Sequence, residues 1–242
     1  MRPLKVEFHA HTSDDPRDVI PYSTLELIDR AGALGYDALA VTLHDRQLDV
    51  EPLRAYAAAK GVVLIPGIER TILGRHVLLI NFADGAEDIQ DFEDLARLKR
   101  RDDGGIVIAP HPFYPTTGAL GRFIDRCEPL IDAVEFSGMY ARGASFNRAA
   151  VRWARAHGKP LVGNGDVHRL VQLGPTHSLV EADPNPRSIC EAVRAGRVEI
   201  RSRPLGWFRL VTLLGDLLGS ALVTGTLRDA PARRQQASVT RL

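Results

Sequence analysis

Leu4-Lys5-Val6-Glu7-Phe8-His9-Ala10-His11 opens the chain with an apolar run that ends in a His-x-His pair. Side chains two apart on a strand leave the same face, so a strand here presents the His9 and His11 imidazoles together, close enough to grip one ion. Further short apolar runs follow at Ala38–Leu43, Val62–Ile65, Val77–Phe82, Ile106–Ala109, Ala133–Phe136, Leu161–Val162 and Ser178–Val180. They are mostly continuous and often β-branched, the pattern of strands covered on both faces. Leu161–Val162 is the weakest, because Gly163 cuts it short.

Helical patterns lie between these runs. Ser23-Thr24-Leu25-Glu26 is a capping box, in which the Ser hydroxyl and Glu carboxylate satisfy free amides at a helix start. Leu27, Ile28, Ala31 and Leu34 continue that helix, and Gly35 ends it. Asn185-Pro186 starts another, which Gly196 stops. Helices are also predicted near Glu51–Ala59, Glu87–Arg101, Leu120–Glu128 and Ser145–His157. Strand–helix alternation repeated about seven times predicts a parallel α/β fold. No glycine-rich dinucleotide loop follows the first strand, which favours a barrel over an open sheet.

The chain has 242 residues, 45% of them hydrophobic, the size of one barrel domain. Its 31 basic and 30 acidic residues leave a net charge of +1, which argues against bulk polyanion binding but allows a local basic groove. Cys127 and Cys190 are far apart and suggest neither a disulfide framework nor a thiolate metal site. With ligand candidates present by His9 and no leader ahead of them, a reducing cytoplasm is the expected location. After Arg203 the pattern changes. Trp207, Leu210, Val211, Leu214, Leu217, Leu218, Ala221 and Leu222 recur at helical spacing, opposite Arg209, Thr212, Asp216 and Ser220. The expected organisation is a barrel over 1–203, an amphipathic helix over 204–230 and a disordered tail over 231–242. The helix would dock on the barrel or mediate oligomerisation. Arg209 and Asp216 argue against stable membrane insertion.

In closed parallel barrels the carboxyl ends of the strands form the active-site rim. His44 follows Leu43, Glu69 follows Val62–Ile65 after a Pro-Gly turn, and His111 follows Ala109-Pro110. Asp166 and His168 follow Val162 across Gly163-Asn164-Gly165. His76 instead precedes its run, and a hairpin through Ile72–Gly74 would fold it back towards Glu69. A single histidine is usually a solvated surface group. Six at equivalent places are different, because imidazoles and carboxylates gathered in one dry pocket are costly without ions. His157, near a helix end, and His177, opening a late strand, are read as structural.

These motifs together resemble the PHP (polymerase and histidinol phosphatase) family. The resemblance rests on Glu7-Phe8-His9-Ala10-His11-Thr12, Ala40-Val41-Thr42-Leu43-His44-Asp45, Gly67-Ile68-Glu69, His76 ahead of a strand, Ala109-Pro110-His111-Pro112 and Gly165-Asp166-Val167-His168. It implies a distorted (β/α)7 TIM-like barrel with three divalent ions drawn from Mn, Zn or Fe. It gives ligand roles to His9, His11, His44, Glu69, His76, His111, Asp166 and His168. The chain departs from the family pattern twice. Leu43 stands where the family has an Asp that would orient the neighbouring His. Pro16 stands where the family has a ligand Asp, with Asp14, Asp15 and Asp18 around it, and Asp15 is the favoured substitute.

The implied reaction is metal-dependent phosphate-ester hydrolysis, since paired ions lower the pKa of a shared water and polarise phosphoryl oxygens. Glu69 would bridge two ions, Asp166 would orient the water, and His168 or His44 would protonate the leaving group. Arg142, Arg148 and Arg169 are candidates for holding phosphate oxygens, and Tyr140 and Phe146 for stacking on a ring. Candidate substrates are small phosphomonoesters of the histidinol phosphate kind, nucleotides and short single-stranded oligonucleotides. An amidohydrolase and a non-catalytic, metal-stabilised binding module are the competing readings.

Overall fold

The computed structural model describes residues 2–208, 210–213 and 215. Nine strands form one sheet in the order β7-β6-β5-β4-β3-β2-β1-β8-β9. They are β1 (Leu4–Glu7), β2 (Ala38–Val41), β3 (Val63–Ile72), β4 (Arg75–Ile80), β5 (Ile106–Ala109), β6 (Ala133–Ser137), β7 (Leu161–Asn164), β8 (Thr176–Val180) and β9 (Val198–Ser202). Each predicted apolar run is a strand. The sheet curls until β7 meets β8 and β9, giving a nearly closed TIM-like barrel. β1–β2–β3 and β5–β6–β7 pair in parallel. β4 runs antiparallel to both of its neighbours, and β8 and β9 return antiparallel beside β1.

The helices are α1 (Thr24–Ala33), α2 (Arg54–Ala59), α3 (Phe92–Arg101), α4 (Asn147–Ala156) and α5 (Pro186–Arg194). Both reciprocal bonds of the Ser23–Glu26 capping box form, and the Asn185 side chain accepts from the Ser188 amide. The helix predicted over Leu120–Glu128 is instead two 3-10 turns, Gly121–Asp125 and Glu128–Leu130. Gly121 at φ +54° and Pro129 interrupt any longer helix there. Strand–helix alternation is therefore less regular than predicted: β3 turns directly into β4 through Leu73-Gly74, and only 3-10 turns join β5 to β6 and β7 to β8.

Strand β9 is absent from the sequence reading. Its Val198 and Ile200 alternate with exposed Glu199 and Arg201, as an edge strand allows. Its seat explains Gly163, which continues β7 instead of ending it. A Cβ at Gly163 would lie 2.8 Å from Ile200 Cγ2 and 2.9 Å from the His177 carbonyl oxygen. Glycine lets the closing strands approach there.

Apolar burial organises the barrel on both sides of its wall. Leu39, Val41, Leu43 and Leu64 pack outward with α1 residues Leu27, Ile28 and Ala31. Ile68, Leu79, Val107 and Val134 pack with Leu95 and Leu98 of α3 and Ala150, Trp153 and Ala154 of α4. A third cluster, including Val6, Ala40, Ile65, Leu78, Ile108 and Val162, meets Ile189, Cys190, Ala192 and Val193 of α5. Arg194 Nη2 donates to the Asp103 carbonyl at 3.0 Å, which puts α5 at the end where β5 begins. The opposite end, where β5 delivers His111, is left open.

Of the predicted C-terminal helix, the described part is helical at 207–208, 210–213 and 215. Leu210 and Leu213 pack on Met139, Ala141 and Leu205, while Trp207, Phe208 and Val211 are exposed. The remainder, with the tail over 231–242, lies outside the described residues. No helix among the described residues is long and apolar enough to cross a membrane.

Candidate metal centre

The open end is organised by backbone pairing that continues past the strands. His11 N–H donates to Val167 O and Val167 N–H to His9 O, both at 3.1 Å, which locks the His-x-His segment to the Asp166–His168 turn. Glu69 N–H donates to Leu43 O at 3.1 Å and Asp45 N–H to Glu69 O at 2.9 Å, which sets His44 beside Glu69. The β3–β4 hairpin, paired Thr71 to His76, folds His76 back as the sequence suggests. Because β4 is reversed, its beginning reaches the same rim as the ends of its parallel neighbours.

Glu69 is the hub. Its Oε2 lies 3.2 Å from His9 Nε2, 3.3 Å from His11 Nε2 and 3.2 Å from His44 Nε2. Its Oε1 lies 2.8 Å from His76 Nδ1 and 3.3 Å from His111 Nε2. Asp166, at φ +49°, turns its Oδ1 to 3.3 Å from both His9 Nε2 and His168 Nδ1, and 3.6 Å from His11 Nε2. Six histidines, Glu69 and Asp166 thus share one cluster. Three overlapping ligand groups arise: His9–Glu69–His111, His9–His11–Asp166 and His11–His44–Glu69.

Asp15, favoured from sequence as a ligand, is placed differently. Its Oδ2 accepts from His11 Nδ1 at 2.9 Å and from His44 Nδ1 and the His44 amide at 3.0 Å. Its Oδ1 accepts from the Arg17 and Asp18 amides. It orients two imidazoles from behind and has no oxygen left for the cluster. Asp18 faces the cluster instead, with Oδ2 3.0 Å from His168 Nε2 and 3.8 Å from His44 Nδ1. Leu43 is fully buried on the outer wall, and Asp15 gives His44 a carboxylate partner in its place.

Three buried residues escaped the sequence reading. Glu135 Oε2 accepts from His9 Nδ1 at 2.8 Å and from Asn164 Nδ2 at 3.1 Å, and its Oε1 accepts from the His111 amide at 3.2 Å. Glu7 accepts from the His9 amide at 3.1 Å and the Gly165 amide at 3.0 Å. Asn164 Oδ1 accepts from the Phe8 amide at 3.2 Å. The available signal was a carboxylate set inside an apolar run, in Val6-Glu7-Phe8 and Val134-Glu135-Phe136.

The donor set fits a cation. His11 Nδ1 pairs with Asp15, and its Nε2, buried and without a hydrogen-bond partner, faces the oxygens of Glu69 and Asp166. Lone pairs converging in a dry site need a positive charge between them. The same demand appears in the electrostatics of the cluster. Burial disfavours charge on His9, yet Asp166, Glu69 and Glu135 outweigh it and hold the imidazole well above its ordinary value. Burial likewise opposes ionisation of Glu69, but the surrounding imidazoles hold it well below the usual carboxylate range.

A cavity of about 320 Å³ opens onto the cluster, lined by Asp18, His44, Glu69, His76, His111, Asp166 and His168, with Val19, Ile20, Thr116, Thr117, Gly118 and Arg169 as walls. Of the three predicted phosphate-binding arginines, only Arg169 lines it. Arg148 lies in a separate groove with Phe136, Ser145 and Arg152, and Arg142 is exposed on the Ala141–Ala144 turn. Tyr140 is tied to Ser202, and Phe146 packs on Tyr114, so neither lines the cavity. His157 stacks on Trp153 and His177 bonds the Gly174 carbonyl, both apart from the cluster.

Residues 144–198 match the PHP-associated family model. No curated protein matches the chain. Among solved structures, a two-domain protein from Bacteroides vulgatus containing a predicted PHP-like metal-dependent phosphoesterase superposes with a TM-score of 0.62 at 21% identity, covering 90% of this chain and 69% of that one. PsfC from Pseudomonas syringae superposes with a TM-score of 0.60 at 17% identity, covering 94% and 100%. A lesion-specific endonuclease from Pyrococcus furiosus superposes with a TM-score of 0.55 at 15% identity, covering 81% of this chain and 57% of that one. The chain thus shares a PHP-like fold over nine-tenths of its length, and its residues 144–198 match the PHP-associated family model.

Proposed function

We propose that this protein is a metal-dependent phosphoesterase. The observation that carries the proposal is the Glu69 carboxylate, buried and faced by five imidazoles across its two oxygens. His9, His11, Glu69 and Asp166 would hold one ion, Glu69, His76 and His111 a second, and Asp18, His44 and His168 a third. Nitrogen and carboxylate donors without thiolates suit Mn, Zn or Fe. When bound, such ions supply Lewis acidity and a nucleophilic water at neutral pH.

The chain's residues do the rest. Asp15 and Glu135 fix the imidazole orientations from behind. Asp166 reaches the cavity and would orient the attacking water. His44 and His168 also line the cavity and would hand a proton to the leaving oxygen if the third group is unfilled. Arg169 would steady a phosphoryl oxygen at the rim. The cavity is at the lower end of the range for small-molecule sites. Among the described residues Arg169 is the one guanidinium in its lining and no lysine joins it, so they form no row of cations for a nucleic-acid backbone. A small phosphomonoester therefore fits better than an oligonucleotide.

Elemental analysis joined to a screen of phosphomonoesters, nucleotides and oligonucleotides tests the proposal. Chelation is expected to silence turnover and Mn to restore it. Turnover indifferent to chelator would overturn the metal mechanism, and bound metal with no turnover on any substrate would favour a binding module. Asp18→Asn is expected to remove one ion per chain and leave the others. Asp15→Asn should keep the ions but weaken them by roughly 10–100-fold, the usual effect of losing a carboxylate that orients a ligand histidine. The reverse result from the two variants would return the ligand role to Asp15.

A further inference from the structure

His76 is the ligand candidate least supported by its own strand. It sits second in β4, just after the turn, and reaches the cluster from the hairpin end. A loop from His111 to Gly121 holds it there. His76 N–H donates to Gly118 O at 2.8 Å, and Arg75 Nη1 donates to Ala119 O at 2.6 Å. The loop closes on itself where Gly121 N–H donates to Pro112 O at 2.7 Å. It starts at His111, whose Nε2 shares Glu69 Oε1 with His76 Nδ1. One loop therefore governs both imidazoles on that carboxylate oxygen.

Gly118 is where the loop meets the His76 ring. A Cβ built on Gly118 would lie 2.5 Å from His76 Cε1, 2.6 Å from Nε2 and 2.7 Å from Cδ2. Those three ring atoms are its nearest neighbours. Gly118 is not among the glycines with positive φ, so alanine meets no backbone objection. What glycine provides here is space: its bare backbone lies against the ring, and any side chain would push the imidazole away from Glu69.

We propose that Gly118 is a positioning residue, the absence of whose side chain seats His76 beside His111 on the Glu69 carboxylate. The proposal rests on the metal-centre reading above. Gly118 donates nothing to the cluster and acts only through the His76 ring. The surrounding loop bonds hold without it, so the effect of a substitution should fall on the ion shared by Glu69, His76 and His111.

The test is a double-mutant cycle of G118A and H76A, read by ions bound per chain, metal affinity and melting temperature, with kcat and KM measured on a chromogenic phosphate ester. G118A alone is expected to weaken one ion by roughly 10–100-fold, as misplaced metal ligands do, and to retain the others, with the loss falling on kcat more than on KM. In the H76A background the ring is gone, and adding G118A should change neither the ion count nor the melting temperature. Full ion occupancy and unaltered kcat in G118A would overturn the proposal. So would an equal loss from G118A in both backgrounds, since that would be a structural effect of the loop itself. If G118A fails to fold, recovery of folding in G118A/H76A supports the steric account and failure of both overturns it. Wild-type protein that binds no ions would sink the metal-centre reading instead, a result distinct from an unaffected G118A.

Discussion

Glu69→Gln should take hydrolysis below detection while the barrel stays folded. Gln has nearly the shape of Glu, so the contacts of residue 69 with its neighbours are preserved. The loss is chemical. Both oxygens of Glu69 are engaged by imidazole nitrogens, five in all, from four segments. An amide carries no charge, and its NH2 end would turn donor hydrogens towards the site of an ion. Two of the proposed ion groups share this residue, so elemental analysis should show at least two ions lost or greatly weakened. Circular dichroism and gel filtration should remain those of the native protein. Turnover within about tenfold of wild type, with metal content unchanged, would remove Glu69 from the centre of the mechanism, since a lost ligand ought to exceed the 10–100-fold effect of a lost orienting group.

Glu135→Gln comes next in expected effect. Glu135 reaches no part of the cavity, yet it fixes the proton on His9 Nδ1, meets the His111 amide and is tied by Asn164 to β7. A glutamine keeps one acceptor oxygen, enough for the His9 and Asn164 pair or for the His111 amide, but its amide nitrogen cannot accept what remains. The expected result is a loss of roughly 10–100-fold in metal affinity with activity recovered at high metal concentration. Glu135→Ala should be worse for the fold, because each buried donor left unpaired costs about 1–3 kcal/mol. Titration of the variants with Mn, followed by activity and by thermal melting, checks both. Wild-type metal affinity in Glu135→Gln would show that His9 is held by its backbone alone.

Much of this candidate centre was legible because its proposed ligands are rare residue types at repeated places in a repeated architecture. His9, His11, His44, His111, Asp166 and His168 all leave the carboxyl ends of strands or the turns just after them. His76 was harder, since a reversed strand puts its rim residue first instead of last. Asp15 and Asp18 could not be separated by spacing, because the turn that carries them decides which carboxylate faces inward. The arginines show the limit of inference from loops. Arg142 and Arg148 follow β6, but that connection runs outward over α4, and the cavity is walled by 18–20 and 116–118. Among the elements, β9 was missed because its Val198 and Ile200 alternate with charged residues instead of forming a continuous apolar run. The Leu120–Glu128 helix was overcalled because apolar spacing outweighed Gly121 and Pro129.

The bond between Glu7 and the Gly165 amide spans 158 residues of chain. It joins the turn bearing the last ligands to the first, and the Ala10–Val167 bridge lies beside it. Contacts so remote in sequence form late, because the entropy of closing the intervening loop must be met first. A nascent chain halted before residue 165 would already display His9, His11, His44, Glu69, His76 and His111, yet without the backbone clamp that sets the first pair in place. Ion capture should therefore mark a late stage of folding, timed by the arrival of residues 165–168 rather than by synthesis of the early histidines.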